Sequence, residues 1–388
     1  MDSLGPDEIL SRLERAGLRG RGGGWYPAAW KWRAVRAEGE RAVLVANGAE
    51  GEPGSIKDRY VMTRRPGDVV AGLGIASRAL RSSEAIVYLK GSFTAAAEAL
   101  ERVVRQHGVA RLPIRVHRGE DSYIAGEETA LLESLEGRRA WPRPKPPLPS
   151  AVGYQGRPTL VQNVETLSRV LEAVRDPDAF RRDERTLVSL WGRVRKPGVY
   201  EVKLGTPIGA VVEEYGGGAV GRLRFFLPAG PSSAPLLAGQ AETPLDPDAL
   251  RQAGSGLGTA AIFVGDDSMC PLSVAASMAA FFERESCGQC PPCTVGTGSL
   301  SRLLKSIEAG EARGRDLAVL REVAGFMSDH GYCAHSRTAA AAVGGFLARL
   351  PEVVEAHLAA RRCPEGLPAV DPFAAASPER RAIEAVIA

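Results

Sequence analysis

Cys287, Cys290 and Cys293 in ESCGQCPPCTVGTGSL, with Cys333 in HGYCAHS, are the densest set of soft metal ligands in the chain. Three thiols at two-residue spacing converge on one point, and a distant fourth closes the cage. That set suits a cubane [4Fe–4S] cluster, whose irons are each held by a thiolate. A four-cysteine zinc site more often shows two separated C-x-x-C pairs. A disulfide framework is uncommon in a chain without a secretion signal. The spacing favours an electron carrier over both. Cys270 and Cys363 lie outside the set and read as free, partly buried cysteines. His330 and His335 flank Cys333 and read as surface or helix-end residues.

Further chemistry lies in four polar or glycine-rich stretches: GRGGGWYPAAWKW (Gly20–Trp32), NGAEGEPGSIKDR (Asn47–Arg59), SYIAGEETALLESLEG (Ser122–Gly137) and TLVQNVETL (Thr159–Leu167). Clustered glycines imply tight turns or close approach of backbone to a ligand. The first stretch is neither a Walker A loop nor a G-x-G-x-x-G after a strand, so alone it fits a tight turn as well as a phosphate loop. Glu127 and Glu128 precede an apolar helical run, where carboxylates either cap the helix or accept from ligand hydroxyls. Gln162 and Asn163 fall at the start of another expected helix. Together with Lys31, these loops make a candidate nucleotide or flavin site. No Ser-His-Asp or Cys-His arrangement stands out among the five histidines.

The elements that must position these groups fall in three parts. Residues 1–175 alternate helix and strand: PDEILSRLERA, then RAVLVANG, DVVAGLGIASRALRS, EAIVYLKG, TAAAEALERVVRQHG and PIRVHRG. Such alternation predicts a Rossmann-like parallel α/β sheet, with ligands beyond the carboxyl ends of its strands. Residues 184–268 read as strand, Lys-Pro-Gly turn, strand, short helix and further strands, a small α+β unit of β-grasp character. Residues 271–362 carry four amphipathic helical stretches, a bundle with the two cysteine loops at one end. Residues 363–388 read as a loosely held tail.

Bulk properties exclude other classes. Basic and acidic residues are interspersed, with a net charge of +3, so nothing points to nucleic acid. No apolar run approaches the roughly 18–20 residues of a membrane span. The start, MDSLGPDEIL, lacks the regions of a signal peptide. The expected setting is cytoplasmic, free or peripheral to a membrane complex.

With these loops in this order, followed by ESCGQCPPC and Cys333, the chain over about 8–362 resembles the NADH-binding flavoprotein subunit of respiratory complex I and the related diaphorase subunits of NAD-linked hydrogenases and formate dehydrogenases. KPGVYEVKLGTPIGAVVEEYGGG is similar to that family's soluble-ligand-binding β-grasp (SLBB-like) module. The resemblance implies an FMN that takes hydride from NADH and a [4Fe–4S] cluster that passes electrons on to partners. A small thioredoxin-like [2Fe–2S] subunit is the expected neighbour. Carried over by position, Gly20, Arg21, Gly22, Gly23, Lys31, Asn47, Glu50, Tyr123, Gly126, Glu127, Gln162 and Asn163 would meet the flavin. Tyr26, Glu52, Glu128 and Lys145 would belong to the NADH side. Carboxylates beside the adenosine ribose accept from its hydroxyls and repel a 2′-phosphate, favouring NADH over NADPH.

The chain departs from the family pattern at Trp25, where a glycine is usual, and at Tyr26, Ala34 and Leu148, where phenylalanines are usual. Asn47-Gly48-Ala49-Glu50 replaces N-A-D-E, and Gln162 stands at an asparagine position. A second reading follows: an electron-transfer module of the same lineage that no longer oxidises NADH and is fed by another donor. A third is a structural scaffold for assembly, stapled by zinc or by an inert cluster.

Overall fold

The computed structural model describes residues 4–39, 42–107 and 112–387. Met1–Ser3, Arg41 and Gly108, which belong to stretches quoted above, lie outside the described residues. The chain divides into two compact units, Met1–Gly51 with Ile56–Thr186, and Glu52–Ser55 with Leu187–Ala388.

In the first unit, α1 (Pro6–Ala16) starts on a proline, whose missing N–H costs nothing there, and stops at Gly17 in the left-handed conformation, φ 72°. The helices α2 (Ala28–Ala37), α3 (Lys57–Arg64), α4 (Pro66–Leu80), α5 (Thr94–His107), α6 (Glu128–Leu135), α7 (Val164–Arg175) and α8 (Pro177–Arg182) surround one sheet. Its strands β1 (Val43–Gly48), β2 (Glu84–Lys90), β3 (Ile114–Gly119) and β4 (Thr159–Asn163) run parallel in the order β3-β2-β1-β4. β1 and β2 are buried along nearly their whole length, as in a sheet covered on both faces. From β1 the chain steps outward through β2 to β3, then returns with β4 on the opposite side of β1. A crevice opens beyond the carboxyl ends of adjacent strands at such a reversal.

β4 is absent from the sequence reading, which begins a helix at Gln162 and Asn163. Five residues of extended chain run straight into α7, so the helical period masks the strand. Only Asn163 is at the helix start; Gln162 pairs opposite Ala46 within the sheet.

The second unit contains a mixed sheet of β5 (Arg185–Gly192), β6 (Gly198–Lys203), β7 (Leu223–Leu227), β8 (Leu236–Leu237) and β9 (Ala261–Asp266), in the order β6-β5-β9-β7-β8. β5 and β9 are parallel, while β7 is antiparallel to both β8 and β9. Short helices α9 (Ile208–Ala210) and α10 (Pro247–Gln252) connect its strands. Then follow α11 (Pro271–Arg284), α12 (Pro291–Glu308), α13 (Gly314–Asp329), α14 (Ala334–Arg349) and α15 (Pro351–Ala360). The last of the four expected helical stretches is thus two helices. Pro351 cannot donate to the preceding turn and opens α15 at its first position.

The final segment is packed rather than loose. Phe373 is fully buried beside Trp191 and Phe263, with ring centroids 5.8 and 5.5 Å away. Ser277 donates to Asp371, and α16 (Pro378–Glu384) is capped by Ser377.

Candidate functional site

The glycine loop, the β1 loop and the Tyr123–Gly126 turn converge at the carboxyl ends of β1 and β4. Asn47 and Asn163 are register partners there. A Cβ on Gly22 would lie 3.2 Å from Asn163 Cβ, and one on Gly20 3.8 Å from Gln162 Nε2. A Cβ on Gly126 would fall 2.8 Å from the Ala49 carbonyl, and one on Gly51 2.9 Å from Tyr123 Cα. Gly126 and Gly51 therefore let backbone lie against backbone, and Gly22 makes room for the Asn163 side chain. Asn47 Nδ2 donates to the Gly126 carbonyl at 2.9 Å and its Oδ1 accepts from Ala49 N–H at 3.1 Å, locking two loops together. Gln162 Oε1 accepts from the Trp32 indole N–H at 3.3 Å.

The neck of the glycine loop closes through Gly20 N–H donating to Tyr26 O at 2.9 Å. Gly23 has φ 110°. Trp25 also takes positive φ, 51°, although buried, and the Arg21 guanidinium lies 4.2 Å above its ring. Arg21 N–H donates to Thr166 Oγ1 at 2.8 Å, and its side chain, fully buried, pairs with Glu184 at 2.5 Å. Among the described residues, its Nε and Nη1 find no hydrogen-bond partner. Burial lowers the Arg21 pKa against the pull of Glu184 and Glu165.

A chain of alternating charge flanks the loop. Lys31 donates to Glu128 at 2.9 Å, and Lys145 donates to Glu128 at 2.8 Å and Glu127 at 2.7 Å. Burial opposes ionisation of Glu128, but the two lysines outweigh it and hold the carboxyl at about 2. Burial likewise opposes the charge on Lys145, yet the two glutamates raise its pKa. Glu127 caps α6, its Oε2 accepting from Thr129 and Ala130 N–H at 2.8 and 2.9 Å. Glu127 therefore acts as helix cap and lysine partner together. Tyr26 and Trp30 stand about half exposed and edge to face, 6.2 Å apart.

Beneath the crevice is a buried cluster that sequence reasoning missed. Lys57 Nζ lies 2.7 Å from Asp58 and 2.9 Å from Glu165, and Asp58 Oδ2 accepts from Asn163 Nδ2 at 2.8 Å. Asn163 Oδ1 accepts from Glu165 and Thr166 N–H, capping α7. Glu50 accepts from Asp58 and Arg59 N–H at 3.0 and 3.1 Å, so it holds the start of α3. Burial pushes Asp58 up to about 7, only partly offset by Lys57. The signal was the dipeptide Lys57-Asp58 directly after the acidic loop, within a stretch already singled out. Glu52 belongs to the second unit, where it is buried with Oε1 3.7 Å from a Cβ built on Gly230.

In the second unit, Cys290 is the residue before α12, Cys293 lies in that helix's first turn, and Cys333 is the residue before α14. Two helix N-termini thus meet the cysteine loops. Burial pushes Cys293 up to about 12, helped by the charges of Cys290, Cys333 and Cys287. Gln289 Nε2 donates to Cys287 Sγ at 3.6 Å, and Ser286 Oγ is 3.4 Å from Cys293 Sγ. A cubane takes four thiolates, one on each iron. The donor set fits that cluster. His335, read as a surface or helix-end residue, is at a helix end, in the first turn of α14, but is buried there and bonds Phe282 O through Nε2 at 2.9 Å; burial lowers its pKa.

Residues 13–172 match the family described as the Nuo51 FMN-binding domain, and residues 273–357 the NADH-ubiquinone oxidoreductase-F iron–sulfur binding region. Residues 187–231 match the SLBB domain. The second of two NADH-quinone oxidoreductase F subunits of Rhizobium meliloti is 38% identical, over 92% of this chain and 90% of that protein. The chain belongs to the family of NADH-quinone oxidoreductase F subunits. The Streptomyces coelicolor member is 36% identical over 93% of this chain and 85% of its own length. The NAD+-reducing [NiFe]-hydrogenase in its H2-reduced state superposes with a TM-score of 0.84 at 34% identity, covering 94% of this chain. This chain spans only 64% of that hydrogenase chain. As a family member it carries the FMN-binding domain and the 4Fe–4S region. The crevice fits the flavin: it is a cradle that side chains at Gly22, Gly51 or Gly126 would distort, and it is ringed by amides and Lys31.

Proposed function

We propose that this chain is the NADH-oxidising subunit of a multi-subunit redox complex, with FMN at the β1/β4 crevice and a [4Fe–4S] cluster on Cys287, Cys290, Cys293 and Cys333. The observation that carries the reading is the interlock of Gly126, Asn47, Asn163 and Gly22 over the reversal point of the sheet. When bound, FMN supplies hydride acceptance from NADH and the cluster supplies one-electron transfer.

The chain's own groups bind and orient. Gly20, Gly22 and Gly23 offer backbone along one edge of the crevice, and Asn47, Gln162 and Asn163 offer amides already fixed by their neighbours. Arg21 braces the loop through its ion pair with Glu184, Lys31 is held beside Glu128, and Tyr123 closes the turn against Gly51. Glu128, held ionised by two lysines, is suited to accept from ribose hydroxyls and to repel a 2′-phosphate, with Lys145 in support, while Glu50 and Glu127 belong with the flavin. Tyr26 with Trp30 offers an exposed aromatic surface for a base, compensating Ala34 and Leu148.

The same reading divides the chain into the FMN/NADH domain (1–175), a β-grasp module (184–268), a helical bundle with the cluster (271–362) and the final segment (363–388). Its partners would be a thioredoxin-like [2Fe–2S] subunit and further redox subunits, as the relatives' names imply complexes. Among the described residues no helix is long and apolar enough to cross a membrane, in keeping with a cytoplasmic or peripheral subunit.

One observation favours the second reading, an electron-transfer module fed by another donor: Trp25 occupies a left-handed position inside the glycine loop. Anaerobic titration of the reconstituted protein with NADH and with NADPH separates the two. Bleaching of the flavin band by NADH alone is expected. A flavin bleached by dithionite but not by NADH would leave the module reading.

A further inference from the structure

Cys270, His357 and Cys363 stand apart from the cluster cysteines, and one ligand atom from each lies within 4.8 Å of the others. Cys270 is the residue before α11, His357 lies on α15, and Cys363 follows the left-handed turn at Arg361 that ends α15. Cys270 Sγ is 3.3 Å from His357 Nε2. His357 Nδ1 is 2.7 Å from the Val353 carbonyl, a contact that requires the proton on Nδ1 and leaves the Nε2 lone pair facing the thiols. That carbonyl is the kind of partner that orients metal-binding imidazoles. Cys270 and His357 are buried, and Cys363 is partly exposed, giving a route of entry.

From this geometry we propose that Cys270, His357 and Cys363 bind one zinc ion, distinct from the iron–sulfur centre. Tetrahedral zinc with Zn–S near 2.3 Å and Zn–N near 2.0–2.1 Å places its ligand atoms about 3.6–3.8 Å apart. The side chains reach that spacing from their present positions with movements below about an ångström. Two thiolates and a neutral imidazole cancel the charge of Zn²⁺, which suits a mostly buried site. Glu365, two residues on, does not supply a fourth ligand: Arg224 holds both its oxygens at 2.8 and 2.9 Å. Water takes that position from the side of Cys363. The ion ties the start of the first helix after the sheet to the end of α15 and the segment that follows. Both cysteines are free, as expected, and so available as a ligand pair.

The test is the metal content of the full-length protein purified anaerobically with its cluster. Zinc and iron are measured by mass spectrometry in wild type, Cys270→Ser, His357→Gln and Cys363→Ser. About one zinc per chain is expected in wild type, falling at least fivefold in each variant while iron stays unchanged. Zinc retained in all three variants, or wild type without zinc, would overturn the site. Because a variant can misfold, Co²⁺ is also added to wild-type protein cleared of zinc. Intense visible d–d bands with a thiolate-to-cobalt band support a tetrahedral sulfur site. Their absence refutes it, as does a Cys270–Cys363 disulfide found by peptide mapping of the anaerobic protein.

Discussion

Replacing Gly126 with alanine tests how the crevice is built. The backbone of Gly126 is not in the positive-φ region, so the substitution brings no conformational penalty of its own. The cost is steric: the new Cβ would sit 2.8 Å from the Ala49 carbonyl. Ordinary C···O contacts begin near 3.3–3.6 Å, so the two loops must part by about 0.5–0.8 Å. The obstacle is backbone, which no rotamer change relieves. Overpacking of this kind costs about 1–3 kcal/mol. The same peptide's carbonyl accepts from Asn47, and loosening that bond adds about 0.5–1.5 kcal/mol. A total near 2–4 kcal/mol corresponds to a melting point lower by roughly 5–12 °C in a unit of this size. Displaced loops should also weaken FMN about tenfold or more, since each 1.4 kcal/mol is a factor of ten. The assays are thermal unfolding of the apoprotein and FMN titration by fluorescence quenching. Gly24→Ala is the control, because a Cβ there meets nothing within 4 Å among the described residues. If Gly126→Ala melts and binds FMN like wild type, the interlock is not what shapes the site.

Lys57→Met leaves Asp58 and Glu165 buried without their cation and should cost about 3–5 kcal/mol at pH 8. The deficit should shrink at pH 5, where Asp58, already raised to about 7, is protonated; denaturant melts at the two pH values would expose a constant deficit and so defeat the argument. Glu128 has a folded-state pKa near 2, below its ordinary value of 4.5. Its stabilising contribution is therefore complete above pH 4.5 and fades as the pH falls toward 2, worth about 1–2 kcal/mol after allowing for its partial exposure. The Lys31→Met, Lys145→Met double variant should lose that acid-dependent increment, which acid titration of stability measures directly. Cys333→Ser should abolish the visible iron–sulfur absorption and its electron paramagnetic resonance signal while FMN stays bound, because the flavin loops lie in the other unit. An intact four-iron signal in that variant would remove Cys333 from the ligand set.

What the sequence determined by itself was chemistry that is local in the chain. Cys287, Cys290 and Cys293 announce a cluster because two-residue spacing brings thiols together whatever surrounds them. The alternation of buried strands with helices in the first unit is equally local, since the periods of 2 and 3.6 are set by the backbone. The amides and glycines of the candidate crevice were legible as residue types. Only the tertiary structure decided their arrangement. β4 is five residues continuous with a helix, so its place beside β1 comes from pairing between distant segments. The Lys57–Asp58–Glu165 cluster joins residues about a hundred positions apart, and its necessity arises from burial, which no spacing records. Phe373 follows a stretch that looks like tail, yet it completes an aromatic core with Trp191 and Phe263. Cys270, His357 and Cys363 likewise become one ligand set only when α11 and α15 are packed. Two-residue spacing places ligands by covalent reach, whereas these groups meet only because hydrophobic burial brings their helices together.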